Sequence, residues 1–309
     1  MAGEPFGIAP SPGGLCLAVD IGGTKLAAGL VDPVGKLERM AQVPTPVSPD
    51  PGVVWAALAG LVAPLAPAAV VCGVGCGGPM ARGGDEVSPL NIPGWHGFPL
   101  RRRLGELTGL PTFVDNDAKA LALAEGWVGA ARGRPDYVAM VVSTGVGGGI
   151  VSGGALLDGR TGNAGHIGHV VVEPQGRPCA CGGRGCLEAE ASGSAIAATT
   201  GRDPREASPE VVARCGTLVG RAVASVASLL DVPLALVGGS VALGFGEPFF
   251  ASARAELRAR AGLDFAASAE IRPVGLGYEG PLIGAGAVGW RSWRHATPSS
   301  VPALAPGER

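Results

Sequence analysis

Along the chain, short apolar runs that stop at glycine alternate with longer stretches of helical spacing. Leu15 to Asp20 (LCLAVD) is an apolar run closed by a carboxylate and a glycine pair, the pattern of a buried strand. Leu26 to Asp32 reads as a second strand, with Pro33 and Gly35 in the turn after it. A proline-rich connection spans 44–51, Val53 to Val62 has helical spacing, and Val70 to Val74 reads as another buried strand. Thr112 to Asp115 is short and extended. Asp117 to Ala130, rich in Ala, Leu and Glu, predicts a helix.

The cycle then repeats. Tyr137 to Ser143 predicts a strand, TGVGGG a glycine turn, and Gly149 to Val151 the opening of the next strand. Val211 to Leu230 predicts a long amphipathic helix, Leu234 to Val237 a strand ending in GGS, and Glu247 to Ala261 a helix. Residues 281–293 predict a last Gly/Ala-rich helix. Strand, glycine turn and strand occur twice, as VDIGGTKLAAGLV and VSTGVGGGIV. A duplicated α/β fold with a ligand cleft between its halves is expected. The terminal segments 1–14 and 295–309 are expected to be disordered.

Composition narrows the function classes. A chain of 309 residues with 47% hydrophobic and 16% charged residues has the make-up of a globular protein of about two domains. A net charge of −2 gives no footprint for nucleic acid, and Arg101-Arg102-Arg103 reads as a solvated helix start. The first residues lack the pattern of a signal peptide, and Arg214, Arg221 and Asp231 interrupt the most apolar stretch. A cytoplasmic protein that neither binds nucleic acid nor enters a membrane is expected. Its seven cysteines then read as thiols or metal ligands, not as a disulfide framework.

Five motifs carry chemistry. Asp20-Ile21-Gly22-Gly23-Thr24-Lys25 brings a carboxylate to a tight turn whose glycines let backbone N–H groups approach a phosphate. Asp20 suits Mg²⁺, which prefers hard oxygen ligands. Thr144-Gly145-Val146-Gly147-Gly148-Gly149 is a second such cradle; flexible turns would use the same residues. It is neither a Walker A loop nor a dinucleotide fingerprint. Asp115-Asn116-Asp117 sits at a strand-to-helix junction. Asp117 is a candidate general base and Asn116 a candidate partner of a substrate hydroxyl, although helix capping accounts for one of the three. His169, Cys179, Cys181 and Cys186 fall within 18 positions among glycines, a donor set for tetrahedral zinc. Gly238-Gly239-Ser240 ends a strand beside a candidate base or ribose site. Cys16, Cys72, Cys76 and Cys215 lie in apolar runs and read as core.

With these features in order from about Leu17 to Gly289, the chain resembles the ROK family of sugar kinases and repressors. The most specific segment is GHIGHVVVEPQGRPCACGGRGCLEAEASG, residues 165–193. The resemblance implies a two-lobed actin-like ATPase (ribonuclease H-like) fold with a zinc loop. Its smaller lobe would be 15–116 plus a C-terminal helix at about 281–294, and its larger lobe 117–280. It implies an ATP-dependent kinase of a hexose 6-hydroxyl, assembled as a homodimer or homotetramer. Asp20, Gly22, Gly23, Thr24 and Lys25 would form one phosphate loop and Thr144, Gly145, Gly147 and Gly148 the other. Gly238 and Gly239 would border the adenosine. Asn116, Asp117, His166, His169 and Glu188 would face the sugar, Asp117 as base, and His169 would also hold zinc with the three cysteines. Where most sugar kinases of the family read GE-x-GH, this chain has Gly165-His166-Ile167-Gly168-His169, which resembles the N-acetylmannosamine kinase branch. The segment SPLNIPGWHGFPL at 88–100 is similar instead to the glucokinase branch. A repressor would carry a DNA-binding domain before the first strand, and a non-catalytic sugar sensor would not need Asp117.

The purified protein is expected to contain one zinc ion per chain, structural and without an open position, because four protein ligands complete a tetrahedron. Loss of zinc should lower both stability and sugar affinity. Elemental analysis that finds no metal would overturn this.

Overall fold

The computed structural model describes residues 13–296. The terminal segments expected to be disordered lie outside the described residues, except for 13, 14, 295 and 296. The chain begins with an antiparallel meander, β1 (Leu15–Ile21), β2 (Lys25–Val31) and β3 (Leu37–Pro44). Helix α1 (Pro51–Val62) leads to β4 (Ala69–Cys76), and α2 (Leu100–Thr108) leads to β5 (Thr112–Asn116). Both strands run parallel to β1, giving the order β3-β2-β1-β4-β5. Helix α3 (Asp117–Trp127) follows without a break.

The same path is then walked again. A meander of β6 (Tyr137–Val142), β7 (Val146–Ser152) and β8 (Ala155–Leu156) is followed by the cysteine-bearing loop. Helices α4 (Leu187–Ala191), α5 (Gly193–Thr200) and α6 (Pro209–Leu230) lead to β9 (Leu234–Gly238), parallel to β6. Helices α7 (Ser240–Phe245), α8 (Glu247–Arg260) and α9 (Asp264–Ala267) lead to β10 (Glu270–Pro273), and α10 (Gly280–Ala296) closes the described chain. The order β8-β7-β6-β9-β10 is the first sheet's topology repeated. The duplication expected from the two glycine turns is therefore a duplication of whole sheets. Both hairpin turns and the carboxyl ends of β4, β5 and β9 border one cleft, where ligands of open α/β sheets collect.

Helices α3 and α10 lie side by side between the sheets. The core there draws on both halves: Ala18, Val71, Leu123, Leu236, Ile283 and Trp290 are all buried in it. Glycines let these layers approach closely. A Cβ on Gly284 of α10 would stand 2.6 Å from the Ala120 carbonyl carbon of α3, and one on Gly149 of β7 would stand 2.9 Å from Lys119 Cα. Tyr137 Oη donates to the Ala122 carbonyl at 2.6 Å, and Trp290 Nε1 donates to the Val31 carbonyl at 3.2 Å. Outer layers of α1 and α2 on the first sheet, and of α6 and α8 on the second, complete two further cores. Helix α6 is long and apolar enough to cross a membrane, yet 56% of its most apolar window is buried inside the protein, chiefly beneath α8.

Several elements were not read from the sequence, among them β8, β10, α5, α7 and α9, and α3 ends at Trp127 and not at Ala130; two differences bear on the site. Strand β3 was not expected, because LERMAQVP lacks an apolar face; it is an exposed edge strand held by its ladder to β2. The TGVGGG segment is a turn only as far as Gly145, since β7 begins at Val146. Its later glycines are spacers under α3, with Gly147 facing Ala118 and Gly149 facing Ala122.

Candidate active site

The cleft has a volume of about 1220 Å³. The β1–β2 turn brings Asp20, Gly22, Gly23, Thr24 and Lys25 to it, and the β6–β7 turn brings Thr144, Gly145, Gly147 and Gly148. Gly238 and Gly239, at the end of β9, lie along its far side. Gly22 N donates to Lys25 O at 3.0 Å and Ser143 N to Gly145 O at 2.9 Å, so each turn is closed by its own backbone. The second turn is tied down further. Gly193 N donates to the Ser143 carbonyl at 2.7 Å, and the Ser143 and Ser240 hydroxyls pair at 2.9 Å. The glycines are sterically required: a Cβ on Gly23 would strike Asn91, and one on Gly145 would stand 2.7 Å from Glu188 Oε2. Bare backbone facing the cleft fits the phosphates of a nucleotide.

The junction of β5 and α3 brings Asn116 and Asp117 to the cleft. Asn116 is the helix N-cap; its Oδ1 accepts from the N–H groups of Ala118 at 3.0 Å and Lys119 at 3.3 Å. Its acceptor is thereby occupied, and its amide N–H groups remain for a ligand. Asp117 Oδ1 accepts from Ala118 N at 2.8 Å, leaving Oδ2 free of that bond. Burial raises the Asp117 carboxyl above the ordinary range, opposed by that backbone N–H. Across the cleft floor, Asp20 is 8% exposed. Burial pushes its carboxyl to about 7, with the charge of Asp117 adding to the rise and Lys25 opposing it. Two desolvated carboxyls so arranged form a site that a divalent cation would relieve.

Between these groups and the cysteine loop lies the second polar cluster. His166 and the Asn116 amide both border Gly78: a Cβ built there would be 3.5 Å from Asn116 Nδ2 and 3.6 Å from His166 Cε1. The His166 and His169 rings stand 6.0 Å apart. Burial lowers the His166 pKa, and His169 adds to the effect, so the ring is neutral at pH 7 and offers one donor and one acceptor. Glu188, in the first turn of α4, accepts from Val146 N at 2.8 Å through Oε2, which couples the second hairpin turn to the cysteine loop.

The ligand atoms of His169, Cys179, Cys181 and Cys186 all lie within 4.8 Å of one another. Cys179 Sγ is 3.7 Å from His169 Nδ1, and Cys181 Sγ is 3.7 Å from Cys186 Sγ. A tetrahedral zinc ion with bonds of about 2.3 Å to sulfur separates its sulfurs by about 3.8 Å. The four residues therefore fit that ion, which His169 would bind through Nδ1.

The candidate catalytic, binding and metal-ligating residues thus lie in the cleft or in the metal-ligand cluster in its wall, whereas Asp115 of the third motif pairs with Lys119 and Gly149 of the second packs under α3. Sequence reasoning missed several others. Asn91, beneath both hairpin turns, falls in a loop with no periodic pattern. Lys119 and Glu125 read as ordinary helix residues, yet both are buried. Glu125 accepts the N–H groups of Gly275 at 3.0 Å and Leu276 at 3.1 Å from the segment between β10 and α10. The unusual placing of charge in an otherwise Ala/Leu-rich helix was their signal.

A model of the ROK family matches residues 16–289, almost the whole of the described chain. The chain belongs to the ROK family. Two of its curated relatives within the family are N-acetylmannosamine kinases. The one from Escherichia fergusonii is 41% identical over 247 residues, and the one from Citrobacter koseri 42% over 246; each match covers 74% of this chain and 84% of the relative. Among solved structures, the chain is similar to a ROK family glucokinase from Streptomyces griseus in complex with glucose and AMPPNP. The TM-score is 0.79 at 31% identity, covering 89% of this chain and 99% of that one. A ROK hexokinase from Thermus thermophilus gives a TM-score of 0.75 at 34% identity, covering 91% and 99%. The fold is accordingly the two-lobed actin-like fold of this family's sugar kinases.

The buried Asp20 carboxyl gives this ROK protein a measurable signature. A carboxyl raised from 3.8 to about 7 favours the folded state while it is protonated, and that stability is lost as pH rises through about 7. Without nucleotide or divalent cation, wild type should therefore lose stability relative to Asp20→Asn between about pH 4 and pH 7, by on the order of 2–4 kcal/mol. Urea unfolding of both proteins across this range checks it. A difference that does not change with pH would contradict the assignment.

Proposed function

We propose that the chain transfers the γ-phosphoryl group of ATP to the 6-hydroxyl of N-acetylmannosamine. The chain is a sugar kinase, and the observation that carries the choice of sugar is His166. It stands beside Asn116 and His169 in the cleft, where most family members carry a glutamate. A carboxylate accepts hydrogen bonds from two sugar hydroxyls; a neutral imidazole offers one donor, one acceptor and a flat apolar face. That combination suits a 2-acylamino substituent. The two curated N-acetylmannosamine kinases at 41% and 42% identity support the reading. Glucose is the second reading, favoured by the likeness to the Streptomyces griseus glucokinase and by the 88–100 segment, whose Asn91 lines the cleft. The division into lobes of 15–116 with the C-terminal helix and 117–280, the cytoplasmic setting, and assembly into two or four copies belong to the same proposal.

Each role follows from which atoms remain uncommitted. Asp117 Oδ2 takes the proton of the 6-hydroxyl, and burial keeps this carboxylate basic. Asn116, its acceptor spent on the helix cap, donates to a sugar hydroxyl through Nδ2. Glu188 keeps Oε1 for the sugar while Oε2 holds the β6–β7 turn. The two hairpin turns receive the phosphates, and Gly238 and Gly239 leave room for the adenosine. Asp20 would hold Mg²⁺, which supplies charge neutralisation on the transferred phosphoryl group. His169, Cys179, Cys181 and Cys186 would hold zinc, which fixes the ring of His169 and the loop that precedes α4.

Two measurements test this. Asp117→Asn should retain the fold and ATP binding yet lose turnover by ~10²–10⁴-fold; retention of more than about a tenth of wild-type kcat would refute its role as base. A coupled ADP-release assay with N-acetylmannosamine, N-acetylglucosamine, mannose and glucose should favour the first. His166→Glu should move relative kcat/KM towards glucose by about tenfold or more, because a buried polar group that loses its partner costs roughly 1–3 kcal/mol. An unchanged ratio would remove His166 from the specificity argument.

A further inference from the structure

The loop 157–166 connects β8 to His166, and its residues from Leu157 to Thr161 are exposed. A loop of that kind is ordinarily mobile on the nanosecond-to-microsecond scale. Here it is fastened. Asn163 Nδ2 reaches across the cleft to the Met80 carbonyl at 3.4 Å. The stronger hold comes from α3. Lys119 follows Asp117 by two residues, and its side chain is 3% exposed. Its ammonium donates to Asp158 Oδ1 at 2.7 Å and to the Gly162 carbonyl at 3.3 Å, and lies 3.0 Å from Asp115 Oδ1.

Three acceptors thus meet the three N–H donors of one lysine. A buried ammonium is costly unless so satisfied, and two of its three acceptors belong to the loop. When the loop lifts away, Lys119 loses both at once. A single helical turn therefore holds Asp117 in the cleft and fastens the segment that ends at His166.

We propose that Lys119 is a positioning residue for the sugar: its bonds to Asp158 and Gly162 pin the 157–166 loop and so fix His166 against Asn116 and Gly78. The inference rests on the reading that His166 faces the sugar. The contact touches neither hairpin turn, so its effect falls on the sugar and not on the nucleotide.

Asp158→Asn is the informative variant, because position 158 is exposed and Lys119 keeps its bond to Asp115. The sugar KM should rise about fivefold, the scale of a partly exposed ion pair. The KM for ATP and kcat at saturating sugar should stay at wild-type values, and Asp158→Glu should restore most of the sugar KM. A second readout needs no turnover. Arg160 lies in the exposed part of the loop, so trypsin cleavage after Arg160, followed by mass mapping, should be faster in Asp158→Asn than in wild type.

A purely structural role predicts otherwise: a lower melting temperature and a smaller active fraction, with both KM values unchanged. That result, or an unaltered sugar KM with unaltered cleavage, overturns the proposal. Failure of the substrate reading looks different. If wild type favours glucose, a raised glucose KM and faster cleavage in Asp158→Asn still support the clamp. If wild type favours N-acetylmannosamine and Asp158→Asn leaves its KM alone, the clamp falls and the substrate stands.

Discussion

Helix α3 is wedged between two sheets, and the rest of the site depends on how closely it fits there. Glycines on both neighbouring surfaces, Gly284 of α10 and Gly149 of β7, remove the side chains that would hold the layers apart. Interiors pack at crystal-like density and transmit displacement. The helix cannot slide without opening a cavity on one side and a clash on the other. Its N-terminus is consequently a fixed point in the cleft, and that point carries Asn116 and Asp117.

From this helix, charge reaches outwards in both directions. Lys119 engages the loop that precedes His166, and Glu125 receives the N–H groups of Gly275 and Leu276 between β10 and α10. Both side chains are buried and both are paired, as buried charges must be. One helix therefore braces the loop that precedes His166 and the segment between β10 and α10, both of which border the cleft. The carboxyls of Asp20 and Asp117 both line the cleft. Burial raises both carboxyls above the ordinary range.

The cysteine loop is joined to this frame through α4. Cys186 immediately precedes the helix, Glu188 in its first turn holds the β6–β7 turn, and Glu190 accepts from the Arg177 backbone N–H at 2.5 Å and from Arg214 of α6 at 2.6 Å. The metal-ligand cluster is thus one end of a chain of contacts that runs from the second hairpin turn to the core helix of the second half. An ion held by that cluster would therefore be in mechanical contact with the second hairpin turn through α4.

Much of this was legible in the chain itself. Apolar runs ending at glycine marked β1, β4, β6 and β9, because buried strands in a parallel sheet need continuous apolar sequence. The repeated strand–glycine–strand signature announced the duplication, and the spacing of His169 with three cysteines announced a metal-ligand cluster, since both are local facts. Asp115, Asn116 and Asp117 stood out for the same reason, although the sequence alone left open which of the three caps the helix. Tertiary structure decided what depends on partners distant in sequence. Strand β3 exists because β2 offers it a ladder, not because LERMAQVP has a strand pattern. Gly147 and Gly149 serve a helix twenty-five or more residues earlier in the chain, not a flexible turn. Lys119 and Glu125 look like solvent-facing helix residues until the folded chain encloses them. Asn91 acquires a place beneath the two hairpin turns only when both halves are assembled. Local propensity is written in neighbouring residues; burial and pairing of charge are written in the packing of layers that the sequence keeps far apart.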